Sequence, residues 1–356
     1  MTAADRDGRP PPAPPEPVAI LGTGLIGGSV ALAARRSGAE VVCWDPDGAT
    51  REALRQAGLG EARSLDEALS AARLVVVAAP LDELRTVFGE IGCSGAAAGD
   101  RLVVTDVASV KGPALSAAGT LVEAGIGFVG GHPLAGKEGS GFSEAEPGLF
   151  EGRPWALCLD GARLDDVARV ARLVRAVGAR ALLVEAAEHD AAVALVSGAV
   201  HLAAAALALA LAGGEGGVLA PLLAARSFRE ATRVALGPAS RTAAMLCGND
   251  AALHRATKAL ARALAELEGA LEKREALEAL LERARDTRAR LDAADDGEGE
   301  EVERLSETDA RDRLLAFGRA GRAVHELRVL PDGTVEAVVE RAGERSRTST
   351  PEGTGT

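Results

Sequence analysis

"VAILGTGLIGGSVALAARRSG", residues 18–38, runs from an apolar β-type start through Gly22-x-Gly24-x-x-Gly27 into an alanine-rich helical pattern. In such a loop the first glycine permits a tight turn, the second lets backbone approach a pyrophosphate, and the third lets helix and strand pack closely. A phosphate placed there meets free N–H groups at the positive end of the helix. A glycine turn alone is weak evidence, but this one opens the first strand–helix unit, and the next strand run, "EVVCWD", ends on Asp45. An acid about twenty residues after the loop is where a ribose-binding carboxylate belongs. The sequence therefore predicts a dinucleotide site at Gly22, Thr23, Gly24, Leu25, Ile26, Gly27 and Asp45, with Ala79 and Pro80 from "RLVVVAAP" beside it. Asp45 can accept from both ribose hydroxyls and repels a 2′-phosphate. Asp47 adds to that repulsion and no arginine follows immediately, so NAD is expected over NADP.

Further runs, "RLVVTDV", "IGFVGG", "PWALCL" and "ALLVE", continue the alternation with helical patterns to about residue 185. Strands separated by helices of this length imply an α/β, doubly wound, mostly parallel sheet with helices on both faces. From Ala186 the strand signal stops and an all-helical region, 186–291, is expected. Its stretch from about Asp250 to Leu291 repeats Ala/Leu at three and four residues with Glu/Arg between, as one long amphipathic helix or a pair. Residues 1–17 read as a proline-rich disordered lead-in, 292–304 as an acidic linker, and 305–356 as a short tail with one hairpin turning at Pro331, Asp332 and Gly333.

The net charge of -12 and pI near 5.1 argue against nucleic acid or an anionic membrane as partner, since either would need a basic face. Ala191 to Ala212 matches a bilayer span in length. It is built of small residues and lacks aromatic belts and basic flanks, so it reads as a buried central helix of a domain or dimer. The N-terminus shows no secretory core. Cys43, Cys93, Cys158 and Cys247 lie far apart, with no metal-ligand spacing, and read as reduced thiols of a cytoplasmic protein.

Taken in order, "LGTGLIGGSVA", "VVVAAPL", "TDVASVKG", "GGHPLAGKEGSG", "LFEGRPWALC", "EHDAAVALVS" and "FREATR" resemble the prephenate/arogenate dehydrogenase family over about residues 18–250. The resemblance implies an NAD(P)-binding Rossmann domain, an all-α dimerisation domain forming a homodimer, and oxidative decarboxylation of prephenate, or of arogenate or an amino-deoxy analogue. It gives His132 the role of the catalytic base, a task that suits a neutral imidazole. It makes Ser109 the serine that bridges histidine, substrate hydroxyl and nicotinamide; by itself Ser109 also reads as a cap of the following helix. Arg233 corresponds to the arginine that clamps a substrate carboxylate, against an interhelical salt bridge with Glu230. Glu138 corresponds to an acid that gates the pocket, against plain loop surface. Lys111 stays open between a cation for substrate and a solvated side chain, and His201 between a ligand and a satisfied core histidine.

The chain departs from the pattern after "EHD", where members usually read S-H-L-P-H and this chain reads "SGAVH". Gly198 replaces the first histidine and the proline is absent. "ALGPASRTAAML" also replaces the usual aspartate-proline…methionine-tryptophan stretch. Both losses fall on the substrate side, which leaves a non-catalytic NAD-binding regulatory protein as the competing reading. His189 and Asp190 read as helix-start residues that suit the helix dipole, with no catalytic task. The tail is short for the ligand-binding module that many relatives append, so little tyrosine feedback through it is expected.

Overall fold

The computed structural model describes residues 16–95, 102–137, 139–213, 218–292 and 299–341. The lead-in up to residue 15, the acidic stretch 293–298, Glu138 and the last fifteen residues lie outside the described residues. The chain divides into two compact units, one of residues 1–108, 114–185 and 301–339, the other of 109–113, 186–300 and 340–356.

The first unit starts with β1 (Val18–Leu21), β2 (Val41–Trp44), β3 (Gly60–Glu61), β4 (Leu74–Val77), β5 (Val103–Asp106) and β6 (Gly127–Val129). They form one six-stranded sheet in the order β3-β2-β1-β4-β5-β6, and the pairings from β3 through to β6 are all parallel. This is the doubly wound order, whose chain reverses direction between β1 and β4, the place where such sheets bind ligands. The apolar runs on these strands are buried on both faces: Val18, Ile20, Val76 and Val103 go into one core, and Ala19, Val75, Val77 and Val104 into the other.

The remaining runs do not extend that sheet. After the Gly130–Gly131 break come β7 (Gly131–Pro133), β8 (Pro154–Cys158) and β9 (Arg180–Val184). They build a second sheet, β7 antiparallel to β8 and β8 parallel to β9. Its other half is the segment expected as a tail: β10 (Glu300–Leu305), helix Glu307–Arg319, and the hairpin of β11 (Val324–Val329) and β12 (Val335–Glu340). The full order is β10-β12-β11-β9-β8-β7. Residues 301–339 thus differ from an appended tail, and the reason is a shared core. Ala310, Leu314, Phe317, Leu327 and Ala337 are buried in the same cluster as Trp155 and Leu157. Arg311 donates to the carbonyls of Leu159 and Ala162, and helix Glu307–Arg319 lies so close to β9 that a Cβ on Gly318 would fall 1.8 Å from the Leu183 carbonyl oxygen.

The second unit is helical. Ala186–Val193, a π-helical turn at Ala194–Gly198 and Ala199–Gly213 run on as one apolar rod, followed by short helices and the pair Asp250–Gly269 and Arg274–Asp292. The long charged stretch is therefore two helices. The core of this unit is small: Ala194, Ala199, Ala252, Leu253 and Ala256, with Leu202 and Leu246 packed on it. The rod has the length and composition of a membrane span, yet only 28% of its most apolar window is buried within one chain. Leu209, Leu222, Leu223 and Leu236 are each at least 70% exposed.

Gly318→Ala is expected to force β9 and the C-terminal helix apart. Overpacking of this kind costs about 1–3 kcal/mol, or roughly 2–4 °C in Tm per kcal/mol for a unit of this size. An unchanged Tm by calorimetry would mean that the C-terminal segment is not part of this core.

Candidate active site

Three strand ends meet around the glycine loop. Gly22 takes φ +85°, open to glycine only, and a side chain there would meet the Ala78 carbonyl at 2.8 Å. A Cβ on Gly27 would sit 2.0 Å from the Gly22 carbonyl oxygen, whereas Gly24 faces open space. Helix Leu25–Arg36 starts at Gly24 with no side-chain cap, so its first amides keep their capacity for an anion. Asp45, buried at the end of β2, accepts from the Thr23 amide (2.7 Å) and hydroxyl (3.0 Å) through Oδ2, and from the Asp47 amide (3.0 Å) through Oδ1. A carboxylate has about four acceptor positions, so one remains for a ribose hydroxyl. Ala79 and Pro80 follow β4 beside this loop. The open backbone cradle, the uncapped helix and the anchored acid fit a dinucleotide.

Asp47 also caps helix Gly48–Gln56, accepting from the Thr50 amide and hydroxyl at 2.8 and 2.7 Å. The hydroxyl contact and then the amide hold its carboxyl below the ordinary range, keeping the negative charge beside Asp45. Arg51 is the cation nearest in sequence after this pair. It donates to the Asp45 and Pro46 carbonyls at 2.6 and 3.0 Å and pairs with Glu61 at 3.4 Å.

His132 stands half-buried on β7, opposite Ala156 of β8. What sets this strand is Asp106, a fully buried acid at the end of β5 that the sequence reading passed over. Its Oδ1 accepts from the Gly131 amide and its Oδ2 from the Ala108 amide, both at 3.0 Å. Gly131 must be glycine, because a Cβ would lie 2.5 Å from the Asp106 carbonyl oxygen and 2.8 Å from Thr105 Oγ1. The only sequence signal was an acid closing the strand run "RLVVTDV". Glu138 is outside the described residues; its neighbour Lys137 lies 3.7 and 3.5 Å from Glu144 and Glu146.

The helical unit carries the other candidates and narrows two readings. Lys111 is fully buried, so it is not a solvated side chain. His189 and Asp190 do lie near the start of Ala186–Val193, but both are buried, and the acid meets named partners there. Asp190 Oδ1 accepts from the Lys111 amide (2.8 Å) and from His189 Nδ1 (2.8 Å), and Oδ2 from the Gly112 amide (2.8 Å). Burial pushes the Asp190 carboxyl up, but the contacts from His189, Lys111 and Gly112 outweigh it and hold the group below the usual carboxylate range. Its stabilising effect is therefore complete above the unfolded pKa and is lost as pH falls through the folded one. The amides of Lys111 and Gly112 go to Asp190 and not to Ser109, whose side chain is half-buried.

His201 Nδ1 donates to the Ser197 carbonyl at 2.9 Å, which in the neutral ring leaves Nε2 as the acceptor. The position expected to be proline is Val200, inside helix Ala199–Gly213, and the π-helical turn Ala194–Gly198 ends just before it. A Cβ on Gly198 would meet Leu253 Cδ1 at 2.8 Å, so the space of the missing histidine is taken by leucine. An apolar crevice remains there, lined by Val110, Val193, Ala194, Gly198, Leu246 and Leu253 among others. Arg233 is exposed at the start of the turn Arg233–Leu236. Glu230, its proposed salt-bridge partner, lies 2.6 Å from Arg226. Among the described residues no cluster of His, Cys, Asp and Glu has a metal-binding arrangement.

Two family models match in succession. "Prephenate dehydrogenase, nucleotide-binding domain" covers residues 30–183, and "Prephenate dehydrogenase, dimerization domain" covers residues 185–285. The cyclohexadienyl dehydrogenase of Zymomonas mobilis is 30% identical over 225 residues, 61% of this chain and 75% of that protein. The chain belongs to the prephenate dehydrogenase family. The prephenate dehydrogenase of Bacillus subtilis is 30% identical over 227 residues, 61% of this chain and 60% of that one. Synechocystis arogenate dehydrogenase superposes with a TM-score of 0.66 at 27% identity, covering 77% of this chain and 99% of that chain. Several curated relatives are longer, and this chain spans 47% to 60% of their length. Of the prephenate dehydrogenase family models, the first takes in Asp45, Asp106, Ser109, Lys111 and His132; the second takes in His189, Asp190, His201 and Arg233.

Gly27→Ala puts a methyl into the Gly22 carbonyl and is expected to abolish dinucleotide binding. Calorimetric titration should show at least a tenfold rise in Kd for NAD; wild-type affinity would mean that the loop is only a packing turn.

Proposed function

We propose that this protein is an NAD-dependent prephenate dehydrogenase, converting prephenate to 4-hydroxyphenylpyruvate and CO2 on the route to tyrosine, in the cytoplasm. The observation that carries the reading is the pairing of a dinucleotide cradle ending at Asp45 with a histidine strand locked by Asp106. Bound NAD would supply the hydride acceptor for the carbinol carbon of the substrate ring. Asp45 would hold the adenosine ribose and, with Asp47, keep a 2′-phosphate out. His132 takes the hydroxyl proton as the hydride departs, and Ser109 steadies that hydroxyl. The ring carboxylate then leaves as CO2, its bonding electrons enter the ring, and the aromatised oxygen regains the proton. Arg233 offers a planar, permanently charged fork for a substrate carboxylate, a local cation that a chain of net charge -12 requires.

Arogenate is the second substrate to test, since Synechocystis arogenate dehydrogenase is among the similar structures and the missing histidine wall at Gly198 removes a polar group from the substrate side. The exposed leucines of the helical unit, each far more open than a monomer's surface favours, support a homodimer closed through that unit.

With purified protein, NADH formation is expected from NAD and prephenate, with NADP a poor substitute. His132→Asn should lower kcat by about 10²–10⁴ and leave NAD affinity unchanged; near-normal turnover would remove His132 from the chemistry. Arg233→Ala should raise KM for prephenate by about two orders of magnitude, the loss of one charge-assisted pair. An unchanged KM would make the arginine structural. Light scattering should give a dimer mass, and a monomer would contradict the interface.

A further inference from the structure

We propose that Asp190, braced by His189, is a positioning residue that fixes Ser109 by holding the backbone of Lys111 and Gly112. The inference rests on the dehydrogenase reading, which gives Ser109 its task. The first amides of a helix have no partner within it, and the ordinary solution is a side chain just ahead of the first turn. Here that role falls to a carboxylate some eighty residues along the chain, with one oxygen on each amide at 2.8 Å. Ser109, two residues ahead of Lys111, is thereby spared as a cap and keeps its hydroxyl for another hydrogen bond.

The carboxylate is itself held at every handle. His189 Nδ1–H donates to Oδ1 at 2.8 Å, and the side chain of Asn249 donates to the Asp190 carbonyl at 2.8 Å. Gly112 permits the approach, since a Cβ there would already be 3.3 Å from Asp190 Oδ2. Lys111, Asp190 and His189 are buried, which shields the Lys111 contact from water, while Gly112 lies at the exposed edge of the grip. A buried acid with two amides, an imidazole and an anchored backbone has one orientation open to it. That orientation sets where residues 109–112 run.

Asp190→Asn keeps the shape but turns one oxygen into an N–H donor facing an amide, so one of the two grips is lost. The expected result is a fall in kcat of about tenfold to a hundredfold, the scale set by misplacing a reacting group by about an ångström. Kd for NAD and KM for prephenate should stay within about threefold, and hydrogen exchange of the 109–117 amides should quicken about tenfold or more. His189→Gln, which keeps a side-chain N–H donor, should retain most of kcat, whereas His189→Leu should lose about tenfold. Wild-type kcat in Asp190→Asn, unchanged exchange in 109–117, or equal losses in kcat, NAD affinity and Tm would each overturn the proposal. Should the wild-type protein turn over neither prephenate nor arogenate, the assigned reaction falls, and the exchange rates alone then decide whether Asp190 holds the segment.

Discussion

The carbonyl oxygen of Gly22 lies where the side chain of residue 27 would otherwise be, 2.0 Å from a Cβ built there. That contact brings the first helix down onto β1, opens its N-terminus toward the end of the sheet and puts Thr23 within reach of Asp45. The order of the other strands follows around it, with β4 next to β1 and Ala78 closing on Gly22. Any side chain at position 27 would lift the helix and lose the turn, the cradle and the ribose acid together.

Two buried carboxylates then do for the segments around residues 109 and 132 what glycine does for the first loop. Asp106 takes the amides of Ala108 and Gly131, and Asp190 takes those of Lys111 and Gly112. Hydrogen bonds to charged groups contribute about 1.5–3 kcal/mol each, and a buried amide left unmatched costs a similar amount. Both acids therefore serve geometry through the main chain. His132 and Ser109 sit one and two residues from gripped amides, close enough to inherit that geometry.

Much of this was legible from residues alone, for reasons that are local. Gly22, Gly24, Gly27 and Asp45 are readable because spacing along the chain equals spacing along one strand–helix–strand unit. The strand runs from β1 to β6 are readable because a strand buried on both faces is a continuous apolar run. The second sheet was not readable. β9 pairs with β11 across about 140 residues, and the weak runs of the C-terminal segment do not announce a partner. Asp106 and Asp190 were missed because an acid ending a strand, or near the start of a helix, has ordinary explanations, and only the fold shows which amides it meets. Lys111 was undecided for the same reason. Gly198 stands out in the sequence as a loss, but its filling by Leu253 depends on a helix more than fifty residues away.

In the proposed reaction one site couples hydride transfer to loss of the ring carboxylate. The direct measurement is the ratio of CO2 released to NADH formed, followed in the same reaction with purified protein, NAD and ring-carboxyl-labelled prephenate. Coupled chemistry requires one CO2 for every NADH, with no lag between them. NADH without CO2 would make the protein a simple alcohol dehydrogenase, and CO2 without NADH would remove the dinucleotide from the chemistry.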